Sequence, residues 1–134
     1  MNTQLQLQID HWGLHEFTSQ VSALVHQSGV EEGLCTLFIQ HTSASLLIQE
    51  NADPSARRDL ENWLNQLVKE HDPLYTHTQE GADDMPAHIK TALTNTCLTI
   101  PITNHQLALG TWQGIFLWEH RRQGGQRSII VHIS

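Results

Sequence analysis

Residues 114–133, GIFLWEHRRQGGQRSIIVHI, decide the fold class. Two runs rich in β-branched and aromatic residues, GIFLWEH (114–120) and RSIIVHI (127–133), flank a polar stretch carrying Gly124-Gly125. A glycine pair between two such runs predicts a hairpin. Two shorter runs, CLTIPI (97–102) and QLALG (106–110), come just before them, punctuated by Pro101, Asn104 and Gly110. No helix-length segment separates these strands. The sheet is therefore expected to be mixed and mostly antiparallel, not doubly wound. No GxGxxG follows a strand and no GxxxxGK[ST] occurs, so nucleotide-fold fingerprints are absent. Alternation puts Ile115, Leu117 and Glu119 on one face, and Phe116, Trp118 and His120 on the other. A carboxylate in line with Ile and Leu marks either an exposed strand end or a polar site.

The upstream chain alternates strand and helix signals. TQLQLQI (3–9) has period two, with Leu5, Leu7 and Ile9 on one face, as a half-buried strand requires. HEFTSQVSALVHQSG (15–29) predicts a helix from Phe17, Val21, Leu24 and Val25, with Gly29 as its C-cap. GLCTLFIQH (33–41) reads as a central strand, and SASLLIQ (43–49) as an extension of the same sheet. PSARRDLENWLNQLVKE (54–70) is the clearest helix. Leu60, Trp63, Leu64, Leu67 and Val68 make one apolar stripe, Asp53 is the N-cap, and Pro54 suits the first helical position. HDPLYTHTQEGADDMP (71–86) is a long polar loop, a kind that is often functional, and AHIKTALTN (87–95) is a short helix. The expected architecture is one α+β domain over residues 1–134, a sheet core with flanking helices.

Composition bounds the function. The formal net charge of −7 makes a polyanion such as DNA a poor partner for the whole surface. A small phosphate ligand needs only a few local donors and stays possible. Charged residues are only 16% of the chain, which fits a compact domain that can hide further surface in an oligomer. The start, MNTQLQLQIDHW, lacks the basic head and continuous apolar core of a signal peptide. No apolar run approaches the roughly 20 residues of a membrane span. The expectation is a soluble cytoplasmic protein without a membrane partner. Cys35 and Cys97 both lie in apolar runs and are expected to be free, buried thiols. Ten histidines are scattered, with no HxH or HExxH pair.

Three polar segments are candidates for chemistry: HTSASLLIQENADP (41–54), EGADDMPAHIK (80–90) and GTWQGIFLWEHR (110–121). His41 continues the apolar face of Leu37 and Ile39, so each of its ring nitrogens needs a partner. Asp83 and Asp84 precede a helix whose first turn carries His88. N-capping explains the carboxylates alone, but with the imidazole they also make a candidate site. Gly110 and Gly114 bracket Thr111, Trp112 and Gln113, which suits a pocket wall or a turn with Trp112 as core filler. Two histidines with a carboxylate, His41 and His88 among them, make a reasonable metal set.

These segments resemble the signatures of the YjbQ family, also called UPF0047 or the secondary thiamine-phosphate synthase family. The order of segments is similar over nearly the whole chain. The resemblance implies a homotrimer of α+β domains, a divalent metal (zinc or magnesium) near the motif histidines, and a weak thiamine-phosphate synthase activity. That reaction joins hydroxymethylpyrimidine pyrophosphate to thiazole phosphate and releases pyrophosphate. Carried onto this chain, the expected catalytic residues are His41, Glu50, His88 and Glu119. The expected substrate contacts are Thr42, Ser43, Asn51, Asp83, Asp84, Gly110, Thr111, Trp112 and Gln113; for an enzyme acting on a phosphorylated substrate, Lys90 and Arg121 are expected to help hold phosphate. The expected metal ligands are His41, His88 and Asp53. Two other readings stand beside the enzyme: a non-catalytic metabolite- or metal-binding homotrimeric module, and motifs that only specify packing.

Overall fold

The computed structural model describes residues 1–134. In chain order the elements are β1 (Asn2–Ile9), β2 (Gly13–Glu16), α1 (Thr18–Ser28), β3 (Gly33–Ile39), β4 (Ala44–Glu50), α2 (Pro54–Leu67), α3 (Asp84–Leu93), β5 (Cys97–Thr103), β6 (Gln106–Leu107), β7 (Gln113–Glu119) and β8 (Gly125–Ile133). The strands form two antiparallel sheets, one of order β1-β8-β3-β5-β6 and one of order β2-β7-β4.

The expected hairpin between residues 114–120 and 127–133 does not form. β7 lies between β2 and β4, whereas β8 lies between β1 and β3 in the other sheet. The reason is visible in the side chains. β7 is apolar on both faces and must be covered on both, which a two-layer hairpin would not do. Its Ile115 and Leu117 join the main core, with Val21 and Val25 of α1 and with Leu37, Ile100 and Val131 of the five-stranded sheet. Its Phe116 and Trp118 join a second core, with Leu14, Leu64 and Val68. The glycine pair serves the passage between sheets. Gly125 has φ +79, and a Cβ built on Gly124 would overlap the Glu119 carboxylate.

Three further expectations change. SASLLIQ does not extend the first sheet; as β4 it pairs with β7 and helps found the second. Residues 15 and 16, expected in the first helix, belong to β2. There Leu14 pairs with Trp118, and Glu61 of α2 accepts the Leu14 N–H at 2.7 Å. Cys35 is buried, but Cys97 is exposed because it lies on the uncovered side of β5. The α2 helix starts at the expected cap but ends at Leu67, short of the expected 54–70 span. Asp53 accepts the Ser55 N–H and Pro54 takes the first helical position. Of its apolar stripe, Leu64 and Val68 are buried, while Trp63 and Leu67 stay 62% and 57% exposed. The α1 helix ends where Gly29 turns left-handed at φ 72.

Candidate functional site

The N-terminal half of α3 gathers titratable groups. Asp84 and His88 are one turn apart, so both lie on the same helix face. His77, from the loop before α3, reaches the same carboxylate. His77 Nε2 lies 2.7 Å and His88 Nε2 3.1 Å from Asp84 Oδ2. One ligand atom from each of the three residues lies within 4.8 Å of the other two. Asp84 is buried, and its Oδ1 accepts from Arg121 Nη1 at 2.6 Å. Arg121 also donates to Asp83 Oδ2 at 3.1 Å and to the Glu80 carbonyl at 3.0 Å. Burial works to raise the Asp84 carboxyl, but the His77 hydrogen bond and the Arg121 and His88 charges hold it below the ordinary carboxylate range. Asp83 is depressed too: burial opposes this, and the Arg122 N–H and the Arg121 guanidinium outweigh it.

His88 carries the most information. Its Nδ1 lies 3.1 Å from the Thr42 carbonyl, which can only accept, so Nδ1 carries a proton. A neutral ring then points an Nε2 lone pair at the Asp84 carboxylate, acceptor against acceptor. The contact is attractive only if the ring is imidazolium or if a cation sits between the two atoms. A backbone carbonyl on the far nitrogen is also the usual support for a metal-ligating histidine. Two imidazoles with one carboxylate suit zinc or another borderline transition ion; magnesium prefers oxygen ligands.

A second cluster lies where β7 ends. Glu119 and Arg127 form a buried bidentate ion pair, with Arg127 Nε 2.6 Å from Oε1 and Arg127 Nη2 on Oε2. Arg127 Nη2 also donates to Ser43 Oγ at 3.0 Å. Nearby, Ser45 Oγ lies 2.9 Å from His120 Nε2, and both residues are buried. Burial, then the Lys90 and Arg127 charges, push the His120 imidazole down to about 3. His41 Nε2 accepts the Ser128 N–H at 2.9 Å, and its imidazole is lowered by burial and by Arg127.

The remaining candidates sit elsewhere. β4 and β7 run antiparallel, with Ala44 opposite Glu119 and Glu50 opposite Gln113. The seven residues of β4 span about 20 Å at about 3.4 Å each. Glu50, Asn51 and the 110–113 segment therefore occupy the far end of the sheet from Thr42, Ser43 and Glu119. There Glu50 accepts the Asp53 N–H at 3.0 Å, Asn51 donates to Glu16 at 3.0 Å, and Gln113 accepts the Gly110 N–H at 2.7 Å. Thr111 is exposed in the turn, and Trp112 is 63% exposed, so it is no core filler. His41 and Asp53 join no ligand cluster with His88. The structure thus unites Thr42, Asp83, Asp84 and His88, and beside them Ser43, His41 and Glu119, the two groups being joined where Glu119 Oε2 accepts the Arg121 N–H at 3.1 Å. His77 and Arg127 were not singled out from sequence. The long loop carrying His77 was the available signal; Arg127 gave none, because a lone arginine opening a strand looks like surface.

A family model described as UPF0047 protein YjbQ-like matches residues 3–134. The chain belongs to the YjbQ/UPF0047 family. It is 59% identical over 121 residues to a UPF0047 protein of Synechocystis, covering 90% of this chain and 82% of the relative. It is 44% identical over 120 residues to the UPF0047 protein YjbQ of Escherichia coli O157:H7, covering 89% and 86%. Among solved structures it is similar to a yjbq/upf0047 family protein of Clostridium acetobutylicum, with a TM-score of 0.90 and 34% identity over 98% of this chain and 99% of that one. A conserved hypothetical protein of Thermus thermophilus superposes with a TM-score of 0.87 at 33% identity, over 98% of this chain and 99% of that one. The α+β fold with its antiparallel sheets is thus the family fold.

Proposed function

We propose that this protein is a metal-associated enzyme acting on a small phosphorylated metabolite, with His77, Asp84 and His88 as the metal ligands. The observation that carries this reading is the pair of contacts made by His88, a backbone carbonyl on Nδ1 and a carboxylate facing Nε2. The ligand set moves from His41, His88 and Asp53 to the three residues whose donor atoms converge. The proposed reaction is the secondary thiamine-phosphate synthase activity that the family resemblance implies. A carbon–nitrogen bond forms between the pyrimidine methylene and the thiazole nitrogen while the carbon–oxygen bond to pyrophosphate breaks. A bound divalent ion would supply neutralising charge for the departing pyrophosphate. The chain's own part is positional. The Thr42 carbonyl fixes the His88 tautomer, and Arg121 fixes the Asp84 carboxylate from the other oxygen.

The alternative is a metal- or metabolite-binding module without turnover. It is favoured by one observation: Arg121 is already held by Asp83 and Asp84 and is not free to take a phosphate. In both readings we propose a homotrimer in the cytoplasm, with neither nucleic acid nor membrane as partner. The outer face of the five-stranded sheet supports assembly, because no helix covers it and Leu34 and Phe38 stand about half exposed there. No helix is long and apolar enough to cross a membrane.

One preparation tests these points. Elemental analysis after dialysis is expected to find about one zinc-like ion per chain, lost in His77→Ala and in His88→Ala. Thiamine phosphate formed from the two substrates is read on the same samples, and sedimentation reads the trimer. Metal content unchanged in both variants overturns the site. Metal without product selects the binding module.

A further inference from the structure

On the other side of α3 lies a cavity of about 300 Å³ between α2, α3 and the β2-β7 edge. That is the lower end of the range for small-molecule sites. Lys90 lines it, only two residues from His88. Residues two apart on a helix point in different directions, so the cavity and the histidine triad flank α3 separately. A smaller cavity of about 110 Å³ shares Lys90, Trp12, Asn65 and His120 with the first. The ammonium therefore stands where the two meet.

Lys90 is 4% exposed and in no ion pair. Its nearest partners are neutral: Asn65 Oδ1 at 2.6 Å, and the Trp12 ring with its centroid 5.4 Å away. The carboxylates around it are committed elsewhere. Glu119 is held by Arg127, Asp83 by Arg121 and the Arg122 N–H, and Glu70 by Arg122, while Glu61, on the cavity wall itself, accepts the Leu14 N–H. A buried cation in no direct ion pair, whose nearest carboxylate charges, Glu70 and Asp83, are shared with Arg122 and Arg121, is costly, and an anion entering the cavity would relieve that cost. His120 adds a second polar group to the wall. Its Nε2 is engaged by Ser45, and its Nδ1 has no partner within the protein.

We propose that this cavity is a binding site for the oxyanion of a small metabolite, a phosphate or a carboxylate, seated on Lys90. The site needs no metal. If the substrate is phosphorylated, as proposed above, the cavity is where its phosphate binds; that assignment alone rests on the earlier reading.

The chain has only two lysines, Lys69 and Lys90. Lys69 is an internal control for NMR of the lysine Cε–Nζ groups in the labelled full-length protein. Inorganic phosphate, acetate and, for ionic strength, sodium chloride are titrated in turn, before and after metal removal. The expected result is a saturable shift of the Lys90 resonance by phosphate or by acetate, while Lys69 follows the chloride control. The oxyanion that acts identifies the ligand class. Lys90→Gln is expected to lose at least tenfold in affinity for that anion by calorimetry. Parallel, unsaturating shifts of both lysines, or no shift beyond chloride, overturn the proposal. The wild-type titration decides by itself if the variant does not fold. A response that persists after metal removal separates this cavity from any failure of the histidine triad.

Discussion

At the scale of single residues, the Glu119–Arg127 pair ties the end of β7 to the third residue of β8 and to Ser43. Both side chains are almost wholly buried. A buried pair is expensive to break from one side, because the partner keeps an uncompensated charge. Glu119→Leu alone is expected to cost about 3–5 kcal/mol in urea unfolding. The double variant Glu119→Leu, Arg127→Met is expected to recover much of that, since paired apolar replacement is often neutral. A double variant no more stable than the single one would show that the pair does more than neutralise itself. The sequence flagged Glu119 because it breaks an apolar face. It could not name the partner, since a strand face reports polarity and not what lies across it.

At the scale of elements, α2 shows the limits of a periodic pattern. Its stripe was legible as one face, and the Asp53–Pro54 start was legible as a cap. Only part of the stripe is covered within the chain: Leu64 is 2% exposed and Trp63, its neighbour, 62%. Leu64→Ala is therefore expected to cost about 2–5 kcal/mol. Trp63→Ser is expected to stay within about 0.5 kcal/mol of wild type in the isolated chain. Matched urea midpoints read the contrast, and equal losses would show that the wider stripe is covered after all. β7 makes the complementary point. Its unbroken apolar run reads as one arm of a hairpin, yet the run is apolar because both faces are buried, against different cores.

At the scale of the whole molecule, the shifted groups that titrate below neutral pH all make stability fall toward acid. His120 is lowered from its ordinary value of 6.5 to about 3, chiefly by burial. The unfolded chain therefore takes up this proton below about 6.5, while the native chain resists it until about 3. Its stabilisation is fully present above the upper value and is lost as pH falls through the window, by about 1.4 kcal/mol per pH unit at most. His41, Asp83 and Asp84 are also lowered, so they act with the same sign, the carboxylates at lower pH. The urea midpoint is expected to fall steadily from about pH 7 to about pH 4, and His120→Asn to flatten the decline. A midpoint that rises toward acid would contradict the buried neutral ring.

What depends only on neighbours along the chain was legible in the amino-acid sequence. The period-two strand at residues 3–9, the capped α2 helix, the left-handed stop at Gly29 and the α+β class all follow from local geometry and periodicity. The motif segments also carried the family. It took the assembled fold to place 114–120 and 127–133 in separate sheets, to bring His77 to Asp84 and His88, and to set Glu50 a strand's length from Ser43. These depend on which surfaces meet across the core. Alternation fixes a residue's face, but burial of that face is shared among segments distant in the chain. No local pattern says which of them will supply the partner.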